Sequence, residues 1–309
     1  MRKFNIDFNK ALKPVLIVYL AIFVVGIIWS VIFGVKLDIN FSGGAKVSYS
    51  YTGELADKDI NAVVKEHIKK DYSLRKSTSL AGDTQTFEIS LSGKNALPAK
   101  TQEAMTKALV EKFKDNKIEL YDSNSVSPSI AGSFFAKSMV AVLITAVLVV
   151  IYVGIRFRKI GGVSAGITAL VSLVFDVLIT FFICVIFGLQ IDSNYIAVVL
   201  TMLGYSLNDT IVIYDRIREN KKFSPDMEIG ELVNNSVNTV VIRNIVTTAT
   251  TLLAVTTIIV VSEIFGLTSL RTFAIPMVFG LLSGAISSLF VSGPLWVLWR
   301  RRRIAKGKK

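Results

Sequence analysis

The chain has 309 residues, 52% of them hydrophobic and only 19% charged, with a mean hydropathy of +0.55. That balance excludes an ordinary soluble globular domain, which carries more charge and less apolar sequence. The net charge of +12 does not point to nucleic acid, because the basic excess lies in short stretches beside long apolar blocks.

Residues 1–13 form a basic N-terminus with Arg2, Lys3, Lys10 and Lys13. The apolar block 14–36 follows. It is longer than the 7–15 residues of a signal-peptide core, and no small-x-small cleavage site follows it, so it reads as a retained span.

Segment 37–133 has a soluble composition, with 13 Lys/Arg balanced by 13 Asp/Glu. AKVSYSY (45–51) alternates like a strand, and 57–70 places Ile60, Val63, Val64 and Ile68 at helical spacing. A weak strand covers 72–80, a turn 81–83, and a strong strand 84–92 with Phe87, Ile89 and Leu91 alternating. A helix is expected over 98–114 and a last strand over 117–126. The order β-α-β-β-α-β is that of a ferredoxin-like α+β domain, a fold that hosts many functions. The lone histidine, His67, has no second His or Cys near it, so no metal site is expected.

Five further blocks, 134–156, 161–187, 195–215, 240–262 and 272–299, each reach the ~20 residues needed to cross a bilayer. With the first they make a six-helix polytopic membrane protein. Eighteen basic residues, in the N-terminus, 156–159, the loop 216–239 and the tail 300–309, all fall on one side. The opposite short loops, 188–194 and 263–271, hold Arg271 alone. This positive-inside bias predicts both termini in the cytoplasm and 37–133 outside it. Within 216–239, residues 224–237 read as a short amphipathic surface helix, capped by Ser224 with Ile229, Leu232, Val233 and Val237 on one side. The basic tail anchors the topology and can meet anionic membrane lipids. Cys184 lies in the third block as a small core residue.

Asp176, Asp209 and Arg243 lie inside apolar blocks, where each costs ~2.5–3.5 kcal/mol on insertion scales. Ala165, Ala169, Ser172, Asp176 and Thr180 share one helical stripe. Met202, Ser206 and Asp209 share another, and Arg243, Thr247, Thr250, Ala254 and Thr257 a third. Gly280, Gly284 and Ser288 form a small-residue seam, with Ser283 and Ser287 beside it. Asp209 lies about 10 Å from the cytoplasmic end, and Arg243 enters the membrane from that end on the next helix. The two are expected to meet. The pair reads either as a proton-loading carboxylate with an arginine partner or as a structural pin fixing helix register. Asp215, with Arg216, Arg218 and Glu219, reads as a solvated end cluster.

GYSLNDTIVIYDRIREN (204–220) closely resembles the fourth-helix signature of the SecD/SecF family of protein-export membrane proteins, on its SecF side. Its Gly204, Tyr205, Ser206, Asn208, Asp209, Thr210, Asp215 and Arg216 carry the likeness. LDINFSGGAKV (37–47) resembles the family's glycine-rich motif, with Asn40 where the family has Asp. SVSPSIAGSF (125–134), YVGIRFR (152–158) and IRNIVTTATTLL (242–253) also match. The resemblance implies half of an RND-superfamily transporter. It pairs with SecD, assists the SecYEG channel and the SecA ATPase, and uses the proton motive force to draw preproteins across the membrane. It implies proton-relay roles for Asp209 and Arg243, a less defined one for Asp176, and a junction with the outer domain shaped by Phe41, Gly43 and Gly44. A proton or a sodium ion is the implied coupling ion, with no other cofactor.

Two other readings compete. An RND-type exporter half for lipid or drug shares the bundle and the buried acid, but not the 204–220 motif. An intramembrane aspartyl protease needs two carboxylates, which Asp176 and Asp209 supply, but Asp209 lies in SLND rather than Gly-x-Gly-Asp. No P-loop or Ser/His pair is present, so the chain is read as a translocase accessory subunit without hydrolytic chemistry of its own.

Overall fold

A computed structural model of the chain describes residues 6–68, 72–78, 85–92 and 97–305. The turn expected at 81–83 and the basic residues Arg2, Lys3, Lys306, Lys308 and Lys309 lie outside those described.

Helix α1 (Phe8–Phe33) starts where the Asp7 side chain accepts the Lys10 amide and stops at Gly34, whose φ is +73°. Six residues of helix thus precede the apolar block expected from 14, and Pro14 lies within the helix. The chain then leaves the bundle along a pinned path. Ile191 donates its N–H to the Lys36 carbonyl at 2.8 Å, and Asp38 donates its N–H to the Ile191 carbonyl at 3.0 Å. Asp38 caps the single turn α2 (Ile39–Ser42), after which Gly43 turns the chain into β1 (Gly44–Tyr51).

Strands β1, β2 (Ser73–Thr78), β3 (Gln85–Ser92) and β4 (Glu119–Val126) form one antiparallel sheet in the order β2-β3-β1-β4. Helices α3 (Asp57–His67) and α4 (Ala99–Lys112) alternate with them in the chain. Period-2 alternation sends Val47, Tyr49, Tyr51, Phe87, Ile89 and Leu91 to one face, where they pack on Ile60, Val63 and Val64 of α3 and on Met105 and Leu109 of α4. Tyr49 and Phe87 stack with centroids 5.1 Å apart. His67 bonds the Val63 carbonyl of its own helix at 3.0 Å.

Ser127 caps α5 (Pro128–Arg156), with Pro128 in its first turn. Then come α6 (Gly162–Ile186), α7 (Ser193–Phe223) and α8 (Ile229–Phe265). The sixth span is α9 (Thr268–Ser287), a π-turn at Ser288–Ser292 and α10 (Gly293–Ala305). The six spans make a multi-pass membrane protein. The exposed aliphatic side chains of α1 and α5, such as Val31 and Leu143, are those a lipid phase covers.

Two expectations change. Residues 224–237 are not a separate surface helix before a span at 240–262: α7 continues to Phe223, a turn spans 224–228, and one helix runs from Ile229 to Phe265. Ser224 ends α7, and Glu228 caps α8 through the N–H groups of Gly230 and Glu231. Two asparagines in the first turns of α8 hold the start of α1. Asn234 accepts the Phe8 N–H at 2.8 Å, and Asn238 accepts the Ile6 N–H at 3.1 Å. The sixth span, expected unbroken over 272–299, widens at the π-turn.

Candidate functional site

Helix α6 builds the centre of the site. Ala165, Ala169, Ser172, Asp176 and Thr180 are all buried, so this stripe faces α7 and the sixth span. Asp176 is 1% exposed and accepts three hydroxyl hydrogen bonds. Ser206 of α7 donates to Oδ2 at 2.7 Å, Ser287 of α9 to Oδ2 at 2.8 Å, and Ser283 of α9 to Oδ1 at 2.7 Å. One carboxylate therefore ties three spans together. The approach depends on Gly284, where an added Cβ would lie 3.1 Å from the Ser206 Cβ. Tyr19 of α1 donates to the Ser283 carbonyl at 3.3 Å.

A second buried hydrogen-bond chain lies toward the basic end. Tyr214 of α7 meets Thr168 of α6 at 2.7 Å and Ser292 of the π-turn at 2.9 Å, and Trp296 donates to Ser164 at 3.1 Å. Beyond it, Asp215 pairs with Arg218 at 2.8 Å and with Arg156 of α5 at 3.1 Å, while Arg216 pairs with Glu219 at 2.7 Å. The end cluster thus joins two helices.

Asp209 is one turn beyond Ser206 on α7 and is 2% exposed. Its Oδ2 has no hydrogen-bond partner. The expected Asp209–Arg243 contact is not formed: no ion pair within 4.0 Å joins them, and Arg243 is exposed on the outer side of α8. Its charge reaches Asp209 through space only. The register explains this. Tyr205 donates to Thr251 at 3.2 Å and Asn220 to Ser236 at 2.9 Å, an antiparallel alignment that sets Asp209 opposite the turn Asn244–Thr248. Asn244 and Thr248 are 1% and 4% exposed, and neither amide atom of Asn244 nor the Thr248 hydroxyl has a partner. Adjacent helical residues point about 100° apart. The stripe through Arg243, Thr250, Ala254 and Thr257 therefore turns outward, and the one through Asn244 and Thr248 turns inward. The i, i+4 spacing of Asn244 and Thr248 was the signal for this inner stripe.

The rest of the fourth-helix motif divides by face. Thr210 is buried, whereas Gly204 and Asn208 are exposed at membrane depth. At the junction, Phe41 packs on Phe134 and Phe135 of α5 with centroids at 5.5 and 6.1 Å. Gly43 has φ +74°, and a Cβ there would lie 3.0 Å from the Pro128 Cα. Gly44 pairs with both Ser92 and Val126. Asn40 donates its side-chain amide to Asp38 at 2.7 Å, so the buried carboxylate of this loop is Asp38, which the motif reading passed over.

The family model "Protein export membrane protein SecD/SecF, C-terminal" matches residues 105–302. The SecF translocase subunit of Alicyclobacillus acidocaldarius is 36% identical over 293 residues, covering 94% of this chain and 91% of the relative. The SecDF subunit of Bacillus subtilis is 32% identical over 97% of this chain, which spans 39% of that longer protein. The crystal structure of SecDF from Thermus thermophilus superposes with a TM-score of 0.81 at 25% identity, over 97% of this chain and 39% of the SecDF chain. A SecDF structure in a super-membrane-facing form gives 0.70 at 26% identity, over 99% and 40%. With agreement over nearly its whole length in both sequence and fold, the chain belongs to the SecD/SecF family of protein-export membrane proteins.

Proposed function

We propose that this chain is the SecF-type subunit of a Sec protein translocase and couples the proton motive force to movement of preproteins across the bacterial cytoplasmic membrane. The observation that carries the reading is a pair of enclosed carboxylates, Asp176 and Asp209, one helical turn apart through Ser206. An acid at membrane depth is costly to keep, and a chain that keeps two on one polar seam has a use for them.

In this reading Asp209 takes up and releases the proton. Asp176 holds α6, α7 and α9 in one arrangement, and Ser206 links the two. When the charge on Asp209 changes, the cost of burying it changes, and the helices respond by repacking. The basic ends of the spans face the cytoplasm, and the β-α-β-β-α-β unit is an outer ferredoxin-like domain that handles the emerging polypeptide. The pinned exit through Asp38, Gly43 and Phe41 carries motion between bundle and domain.

A SecD-type partner is supported by the SecDF relatives, in which this chain matches about two fifths of a longer protein. It is also supported by the outward polar stripe of α8: Arg243, Thr250 and Thr257 stand exposed at membrane depth, where lipid is a poor neighbour. SecYEG, SecA and the preprotein complete the assembly, and the chain itself performs no hydrolysis.

The test is preprotein export in inverted vesicles carrying Asp209→Asn. Stimulation by a proton gradient is expected to vanish while SecA-driven translocation continues. Full stimulation in a stably inserted variant sinks the proposal, and loss that follows a sodium gradient instead of a proton gradient reassigns the ion.

A further inference from the structure

We propose that the basic end of the chain carries a built site for one anionic phospholipid. A cavity of about 510 Å³ lies there between the end of α7, the 224–228 turn, the start of α8 and the final helix α10. Met227, Ile229, Leu232 and Ile304 supply apolar wall, Lys221 and Arg300 are cationic, and Glu228 and Arg301 line it as an ion pair.

The charges are arranged for an anion. Arg301 is already neutralised, bonding Glu228 through Nε at 3.1 Å and through its terminal nitrogen at 2.8 Å. Neither Lys221 nor Arg300 has an acidic partner within 4.0 Å among the described residues. The Arg300 Nε is buried and unpartnered, although its guanidinium is held 6.0 Å from the Trp296 ring. Trp296 is in turn fixed by its bond to Ser164. A buried donor on a positioned side chain is costly unless an acceptor meets it. Trp296, Arg300 and Ile304 recur every four residues, so one face of α10 presents ring, cation and aliphatic surface in a row.

A phosphodiester bearing acyl chains matches this order. Its phosphate accepts from Arg300 and Lys221, and its glycerol and upper chain lie along Ile304 and Met227. The site is at the end of the bundle where basic residues flank the spans, so the ligand comes from that leaflet. An acidic protein segment would satisfy the cations but not the aliphatic walls.

The experiment incubates the full chain with vesicles of phosphatidylcholine doped with phosphatidylglycerol, extracts it in neutral detergent and counts retained lipid by native mass spectrometry. One phosphatidylglycerol is expected to remain. Lys221→Gln and Arg300→Gln should each lower its retention about fivefold, the factor that ~1 kcal/mol per cation gives. Arg302→Gln, outside the cavity, should leave retention unchanged, and Arg300→Lys should keep most of it. If Arg300→Gln fails to fold, Lys221→Gln carries the test, since that side chain makes no hydrogen bond among the described residues. Equal retention of phosphatidylcholine overturns the proposal, and so does an equal loss in Arg302→Gln, which marks a diffuse tail effect. Displacement by inorganic phosphate also overturns it, in favour of a free-anion site.

Discussion

Asp176 of α6 and Ser206 of α7 lie 2.7 Å apart, with the serine hydroxyl donating to the carboxylate Oδ2. This contact places a buried acid and the family's fourth-helix motif in one hydrogen-bonded unit, to which Ser283 and Ser287 add the sixth span. Asp176 is therefore an assembly point for three helices as well as a candidate in the relay.

The size of that role can be measured. Ser206→Ala, Ser283→Ala and Ser287→Ala each remove one interhelical hydrogen bond and should destabilise the bundle by about 0.6 kcal/mol. Asp176→Ala removes the acceptor shared by three buried hydroxyls, so about 2 kcal/mol is expected. Denaturation in mixed micelles checks the ratio. A cost for any one serine equal to that of the aspartate would show the network acting as an all-or-none unit.

Asn244 and Thr248 should behave in the opposite sense. Their polar atoms are buried without partners beside Asp209, so they cost stability in place of supplying it. Thr248→Val and Asn244→Leu are expected to leave the thermal midpoint unchanged or raise it, while reducing gradient-driven export. A variant that loses stability and keeps full export would show these residues to be ordinary packing elements.

Much of this was legible in the sequence because it is local. Block length gives the six spans, and the change of period from 3.6 to 2 marks the sheet. Burial of the Asp176 stripe on α6 followed from small and polar residues at helical spacing. The expected pairing of Asp209 with Arg243 fails, because it depends on the rotation of α8, where adjacent residues point about 100° apart. Nor could the sequence show that Asn234 and Asn238 hold the start of α1, a contact spanning about three quarters of the chain. Asp38 escaped notice because the motif draws attention to position 40, while the carboxylate that caps α2 stands two residues earlier.

Gly43 tests the junction. Its φ of +74° with ψ of 170° lies in a region open almost only to glycine, and a Cβ there meets the Pro128 backbone at 3.0 Å. Gly43→Ala should cost about 1–3 kcal/mol. Limited proteolysis between 37 and 44 should accelerate, since the pinned exit must loosen to admit the methyl group. Gly204→Ala is the matched control: it meets nothing within 4 Å, and proteolysis should not change.

Glu228 makes a prediction about pH. Burial pushes its carboxyl up, but hydrogen bonds from Arg301 and from the N–H groups of Glu231 and Gly230 outweigh that and hold it below its ordinary value of 4.5. A lowered folded-state pKa gives stability that is present above 4.5 and is lost as pH falls through the lower, folded value. The first turn of α8 and its tether to α10 should therefore be insensitive to pH near neutrality and loosen in acid. Backbone hydrogen exchange at Gly230 and Glu231, corrected for intrinsic rates, reads this directly. Protection should fall below pH 4.5 in the native chain. In Glu228→Gln the acid-dependent step should disappear, because the amide still accepts from the helix but cannot titrate. An acid-dependent step that survives in Glu228→Gln would assign the loosening to another group at this end of the bundle.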